Sequence, residues 1–135
     1  MIIEHIAWQV QDPVAVAAWY GENFGFTILR KFDNPAQAHF LADAAGRVVL
    51  EIYNNPKLAV PDYGAMDPLL LHIAFLTSDP AAVRDRLLPA GASLVDDLFI
   101  TPAGDELVML RDPWGFPVQL VKRASPLQGS LEERS

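Results

Sequence analysis

The sequence of 135 residues contains no cysteine. Disulfide frameworks and thiolate chemistry are therefore excluded, and any metal must be held by imidazole, carboxylate or amide groups. Positive charge is also scarce, with 10 Lys and Arg against 17 Asp and Glu for a net charge of −7. No Lys/Arg cluster stands out, which argues against a nucleic-acid or anionic-membrane partner. No stretch approaches the roughly 18 apolar residues that a membrane span needs. The opening Met1-Ile2-Ile3-Glu4-His5 has no basic region and is broken by polar residues. It is expected not to be a signal peptide, and the cytoplasm is the expected location.

What the chain does have is a phrase used twice. Residues 5–16 begin His5-Ile6-Ala7-Trp8 and reach Asp12-Pro13; residues 72–83 begin His72-Ile73-Ala74-Phe75 and reach Asp79-Pro80, and seven of the twelve positions are identical without a gap. Self-similarity of this kind marks a supersecondary unit used twice. Each copy is an alternating apolar run with histidine at its start, followed by an Asp-Pro pair that suits a helix N-cap and first helical position. Strand periodicity puts His5, Ala7 and Gln9 on one face and Ile6, Trp8 and Val10 on the other.

Taken in order, strands are expected over about 2–10, 26–31, 36–42 and 47–53, with a helix from Val14 to near Gly25. A connection rich in Pro, Gly and Asn follows over 55–68, lacking periodicity. The second module, about 69–123, repeats the order: strand 69–77, a helix closed by Ala90-Gly91, a strand from Ser93 with a break before Leu98, then strands 106–111 and 116–121. Asp112-Pro113-Trp114-Gly115 echoes the Asp-x-x-Gly turn of Asp43 to Gly46. The fold class is α+β, two tandem βαβββ modules in a single domain over 1–123, with module one at about 1–54 and a polar tail at 124–135.

Two strands carry a hydrogen-bonding side chain inside an apolar run: Glu51 in Val48–Tyr53 and Gln119 in Phe116–Val121. A buried, unpaired carboxylate costs several kcal/mol, so Glu51 needs a partner or water. His5 with Glu51 and His72 with Gln119 fall at equivalent points of the repeat. Two imidazoles, a carboxylate and an amide oxygen make a site for one borderline divalent ion such as Zn, Ni, Co, Fe or Mn. His39 has no histidine partner in the repeat, near Glu106, and is expected on the surface.

At these residues the sequence resembles the vicinal-oxygen-chelate superfamily, which includes glyoxalase I, extradiol dioxygenases and bleomycin-binding proteins. The carriers are His5-Ile6-Ala7, Trp19-Tyr20 with Phe24-Gly25-Phe26, Leu50-Glu51-Ile52-Tyr53-Asn54, Leu71-His72-Ile73-Ala74, and Asp112 to Leu120. The resemblance implies curled mixed sheets around a central metal, with His5, Glu51, His72 and Gln119 at the ligand positions. Most relatives carry glutamate where Gln119 stands; glutamine can ligate through its carbonyl oxygen but cannot act as a base. The leading expectation is a metal-dependent lyase or isomerase of the glyoxalase/epimerase type. It would chelate vicinal oxygens of a small substrate and stabilise an enediolate or enolate, with Glu51 as base and Tyr53 and Gln9 lining the pocket. The alternatives are an Fe(II) extradiol-type dioxygenase and a metal-free drug-binding protein. An apolar fraction of 51% on open, curled sheets further suggests a homodimer.

Overall fold

The computed structural model describes residues 1–127 and divides into two compact units, Met1–Pro61 and a second from Asp62 onward. In the first, β1 (Ile6–Gln9), α1 (Pro13–Phe24), β2 (Thr27–Lys31), β3 (His39–Ala42) and β4 (Val49–Tyr53) form a sheet in the order β1-β4-β3-β2. In the second, β5 (Ile73–Leu76), α2 (Pro80–Leu87), β6 (Ser93–Ile100), β7 (Glu106–Arg111) and β8 (Pro117–Lys122) give β5-β8-β7-β6. β1 and β5 run parallel to β4 and β8, and the other pairings are antiparallel. The repeat in sequence is thus a repeat in topology, and the α+β class holds. Among the described residues no helix is long and apolar enough to cross a membrane.

Both helices start as the Asp-Pro pairs dictate. The Asp12 carboxylate accepts from the Ala15 N–H at 3.1 Å and the Asp79 carboxylate from the Ala82 N–H at 3.0 Å, satisfying a donor that the first turn leaves open. Pro13, Val16, Ala17 and Tyr20 bury one stripe of α1, and Gly25 ends it in the left-handed region at φ 72°. The core of this module joins that stripe to Leu41, Leu50 and Ile52 of the sheet. The other core is built from Leu87 of α2 with Val108, Leu110, Val118 and Leu120. The two Asp-x-x-Gly segments share a turn closed by the Gly46 and Gly115 N–H groups on the Asp43 and Asp112 carbonyls, with different side-chain bonds. Asp43 accepts from Arg47 and Val48, Asp112 from Trp114 and Phe116, and Gly46 and Gly115 both take positive φ.

The strands are shorter than the apolar runs suggest. β1 begins at Ile6, and Ile2 and Ile3 are exposed. β3 begins at His39 and β5 at Ile73. β6 is continuous, and the expected break before Leu98 takes the form of bulges within it. The expected connection contains a short 3₁₀ turn, Tyr63–Ala65. The expected tail reaches beyond the described residues after Leu127.

Candidate functional site

In module one the register sets Ala7 opposite Glu51 and places Phe40 on the other side of Glu51. Directly paired residues share a sheet face, so the three form a row across β1, β4 and β3. His5, two residues before Ala7, joins that face. Its ring stands edge-on to Phe40, with centroids 5.5 Å apart, and its Nε2 lies 3.5 Å from Glu51 Oε1. Its Nδ1 is 2.9 Å from the Glu4 carboxylate. The His5 ring thus stands between two carboxylates, closer to Glu4 at Nδ1 and facing Glu51 at Nε2.

Module two repeats the arrangement with different chemistry. Ala74 lies opposite Gln119, and Met109 takes the place of Phe40. His72 again stands two residues before the alanine, and its Nδ1 donates to the Pro68 carbonyl at 3.0 Å. In His72, Nε2 is the nitrogen left to a ligand. An imidazole fixed through Nδ1 by a carboxylate or backbone carbonyl, with Nε2 presented, is the usual setting of a metal-ligating histidine. Among the described residues no group of three or more His, Asp or Glu side chains is arranged to hold a metal ion. Each module therefore offers one imidazole and one oxygen donor on a shared face. These donor types fit a borderline divalent ion.

The other expected site residues fare differently. Tyr53 is half-buried on the face of Glu51, opposite Gln9 in register. Gln9 is buried and turned to its own chain: Nε2 donates to the carbonyls of Asn55 (2.9 Å) and Leu58 (2.7 Å), and Oε1 accepts from the Asn55 N–H at 2.9 Å. It clamps the start of the connecting segment. His39 is not on the surface. It pairs with Ile52 on the face that packs against α1, is 4% exposed, and donates from Nδ1 to the Gln37 carbonyl at 2.6 Å. Its counterpart is Val108 rather than Glu106. Glu51 and Gln119 hold equivalent places, and one step further Ile52 pairs with His39 while Leu120 pairs with Val108.

Two residues that the sequence does not single out matter here. Glu4 orients His5, and an acidic residue beside a ligand-type histidine is its only signal. Arg111 ends an apolar strand and holds the carbonyls of Tyr63 (2.8 Å), Gly115 (3.1 Å) and Met66 (2.7 Å). It does for the 3₁₀ turn what Gln9 does for Asn55 and Leu58.

Comparisons with known proteins agree with this architecture. Glyoxalase I from Zea mays superposes with a TM-score of 0.70 at 22% identity, covering 90% of this chain and 44% of that one, so the chain spans under half the length of the maize enzyme. The fosfomycin resistance protein FosX from Listeria monocytogenes gives 0.68 at 18% identity, covering 100% of this chain and 98% of that one. A glyoxalase family protein from Bacillus cereus gives 0.76 at 13% identity, covering 93% and 95%. These likenesses are of fold. Comparison with curated proteins gives no match. Residues 2–120, from before the first histidine to past Gln119, match one sequence family, and the chain belongs to it: the Glyoxalase/Bleomycin resistance protein/Dioxygenase superfamily.

Proposed function

We propose that the protein is a metal-dependent enzyme of the glyoxalase/epimerase type, acting on a small substrate with two adjacent oxygens. The observation that supports this reading is the parallel setting of His5 and His72: in each, Nδ1 meets an oxygen acceptor, and His5 Nε2 lies 3.5 Å from Glu51 Oε1 on the same sheet face. His5 and Glu51 of one module and His72 and Gln119 of the other are the proposed ligands for a divalent ion. Such an ion would polarise the two substrate oxygens and acidify the C–H bond beside them. Glu51 is the carboxylate of the set. Its Oε1 takes the proton from that carbon and returns it to the neighbouring one, which is the net change of an isomerisation. Phe40 forms an apolar wall beside Glu51, and Tyr53 lines the same face.

The protein is further proposed to act as a homodimer. Leu69, Leu70 and Leu76 are 75%, 74% and 69% exposed, apolar surface that a second copy of the chain would cover. Light scattering at micromolar concentration should give twice the chain mass, and a monomer mass refutes this.

Elemental analysis tests the metal. The wild-type protein should hold about one divalent ion per site, and His5→Ala or His72→Ala should each lower occupancy at least tenfold. Equal trace metal in all three ends the proposal. Glu51→Gln should lower turnover about 10²–10⁴-fold, the scale of a lost general base. The substrate panel is hemithioacetals, 2-substituted acyl thioesters and catechols. Oxygen consumed in step with a catechol would replace the isomerase reading with ring cleavage.

A further inference from the structure

Strict alternation along β2 would put Leu29 opposite Phe40 and turn Arg30 to the helix side, opposite His39. The structure does otherwise. Ile28 pairs with Leu41, the register then slips by one residue, and Arg30 pairs with Phe40 while Lys31 pairs with His39. The bulge at Leu29 thus moves a guanidinium onto the face that carries Glu51, and bulges are over-represented where a side chain is re-aimed beside an active site. The row now reads Ala7, Glu51, Phe40, Arg30 across four strands. Module two has the same slip. Leu94 pairs with Leu110 and Asp96 with Met109, so its row reads Ala74, Gln119, Met109, Asp96. The two modules use one backbone device to present charges of opposite sign.

Arg30 is exposed, and among the described residues it has no ion pair, hydrogen bond or ring contact, not even with Glu51 on its own row. Strands lie about 4.8 Å apart, so the Cα atoms of Glu51 and Arg30, two strands apart, are roughly 10 Å from each other, with Phe40 between them. A flexible guanidinium on that frame spans the length of a chain of about three to five carbons from Glu51. We propose that the substrate of this site carries a carboxylate at the end opposite its vicinal oxygens, and that Arg30 binds it as a bidentate pair with Phe40 packed along the carbon chain. A single cation matches a monoanion. Lys31 faces the other side, and no second basic residue stands on the row to meet a phosphate dianion. The inference rests on the proposed chelate site and adds the substrate class to it.

The test uses the cobalt(II)-loaded full chain and three hydroxamates, whose adjacent oxygens mimic the chelating end: glutaric acid monohydroxamate, its methyl ester, and the phosphonate analogue of the same length. Cobalt absorption reports chelation, and calorimetry reports affinity. The acid should bind at least about tenfold more tightly than the ester, the scale of one charge-assisted bidentate pair. Arg30→Gln should bring the acid down to the ester's affinity, and Arg30→Lys should keep part of the difference. Equal binding of acid and ester, or a preference that survives Arg30→Gln, overturns the assignment to Arg30 while leaving the chelate reading intact. Tighter binding of the phosphonate than of the acid overturns the carboxylate class. Hydroxamates that leave the cobalt spectrum unchanged overturn the chelate reading and this inference with it.

Discussion

Gln9→Leu isolates the clamp on the connecting segment. The substitution keeps most of the buried volume and removes three hydrogen bonds, two given to the carbonyls of Asn55 and Leu58 and one taken from the Asn55 N–H. Each such bond contributes a net ~0.5–1.5 kcal/mol. Asn55 and Leu58 lie near solvent, so water can recover part of the loss. The cost should fall at about 2 kcal/mol, which for a chain of this size lowers Tm by roughly 5–10 °C. Gln9→Glu sharpens the test, because it sets a carboxylate against two carbonyl oxygens. At neutral pH it should destabilise more than leucine does. Burial raises the pKa of the introduced carboxyl, so the difference is largest above its folded pKa and disappears as acidification protonates it and restores a donor. Thermal unfolding by circular dichroism at two pH values measures both effects. A Gln9→Leu protein melting within about 2 °C of wild type, or a Gln9→Glu protein no less stable than it, would refute the clamp.

Three further outcomes can be checked together. Gly115→Ala should cost at least about 2 kcal/mol in denaturant unfolding, because a Cβ there would stand 2.8 Å from the Gly64 backbone nitrogen at φ 89°. His39→Val installs the residue that module two uses at the same place and should cost no more than about 1.5 kcal/mol by the same assay, the value of its bond to Gln37. Asp105 is held below the usual carboxylate range, first by the Ala124 N–H and then by Arg123. A depressed folded pKa gives stability that is complete above the ordinary aspartate value and is lost as pH falls through the folded one. Asp105→Asn should therefore be less stable than wild type at neutral pH, and acid titration of both should show the gap closing below about pH 4.

Much of the architecture was legible in the sequence because local chemistry and global topology agree. The Asp-Pro pairs cap helices in both modules, Gly25 closes α1 where a left-handed residue is required, and the doubled histidine phrase announces two equivalent sheets. The residues that escaped are those whose position depends on a partner strand. All of β2 is exposed, so no apolar alternation marks its faces and the slip at Leu29 leaves no trace in the sequence. The burial of His39 depends on the Gln37 carbonyl, reached through a non-glycine residue at φ 47°. Gln9 looked like a pocket side chain because it shares the period of His5. Asn55 and Leu58, which it holds, lie more than forty residues away and belong to a segment with no periodicity of its own.

The parallel pairing of β1 with β4, and of β5 with β8, bears on the order of folding events. These pairs join the strands farthest apart in sequence within each module, while β2, β3 and β4, like β6, β7 and β8, pair through short antiparallel connections. Loop-closure entropy makes the longest closure the slowest to be rewarded, so the three-stranded meanders are expected to form first, with β1 and β5 docking onto them last. His5 and His72 arrive on those last strands. On that order the proposed ligand pairs, His5 with Glu51 and His72 with Gln119, would come together only in the final docking step, so an ion that needs both members would hold the finished sheet closed rather than nucleate it.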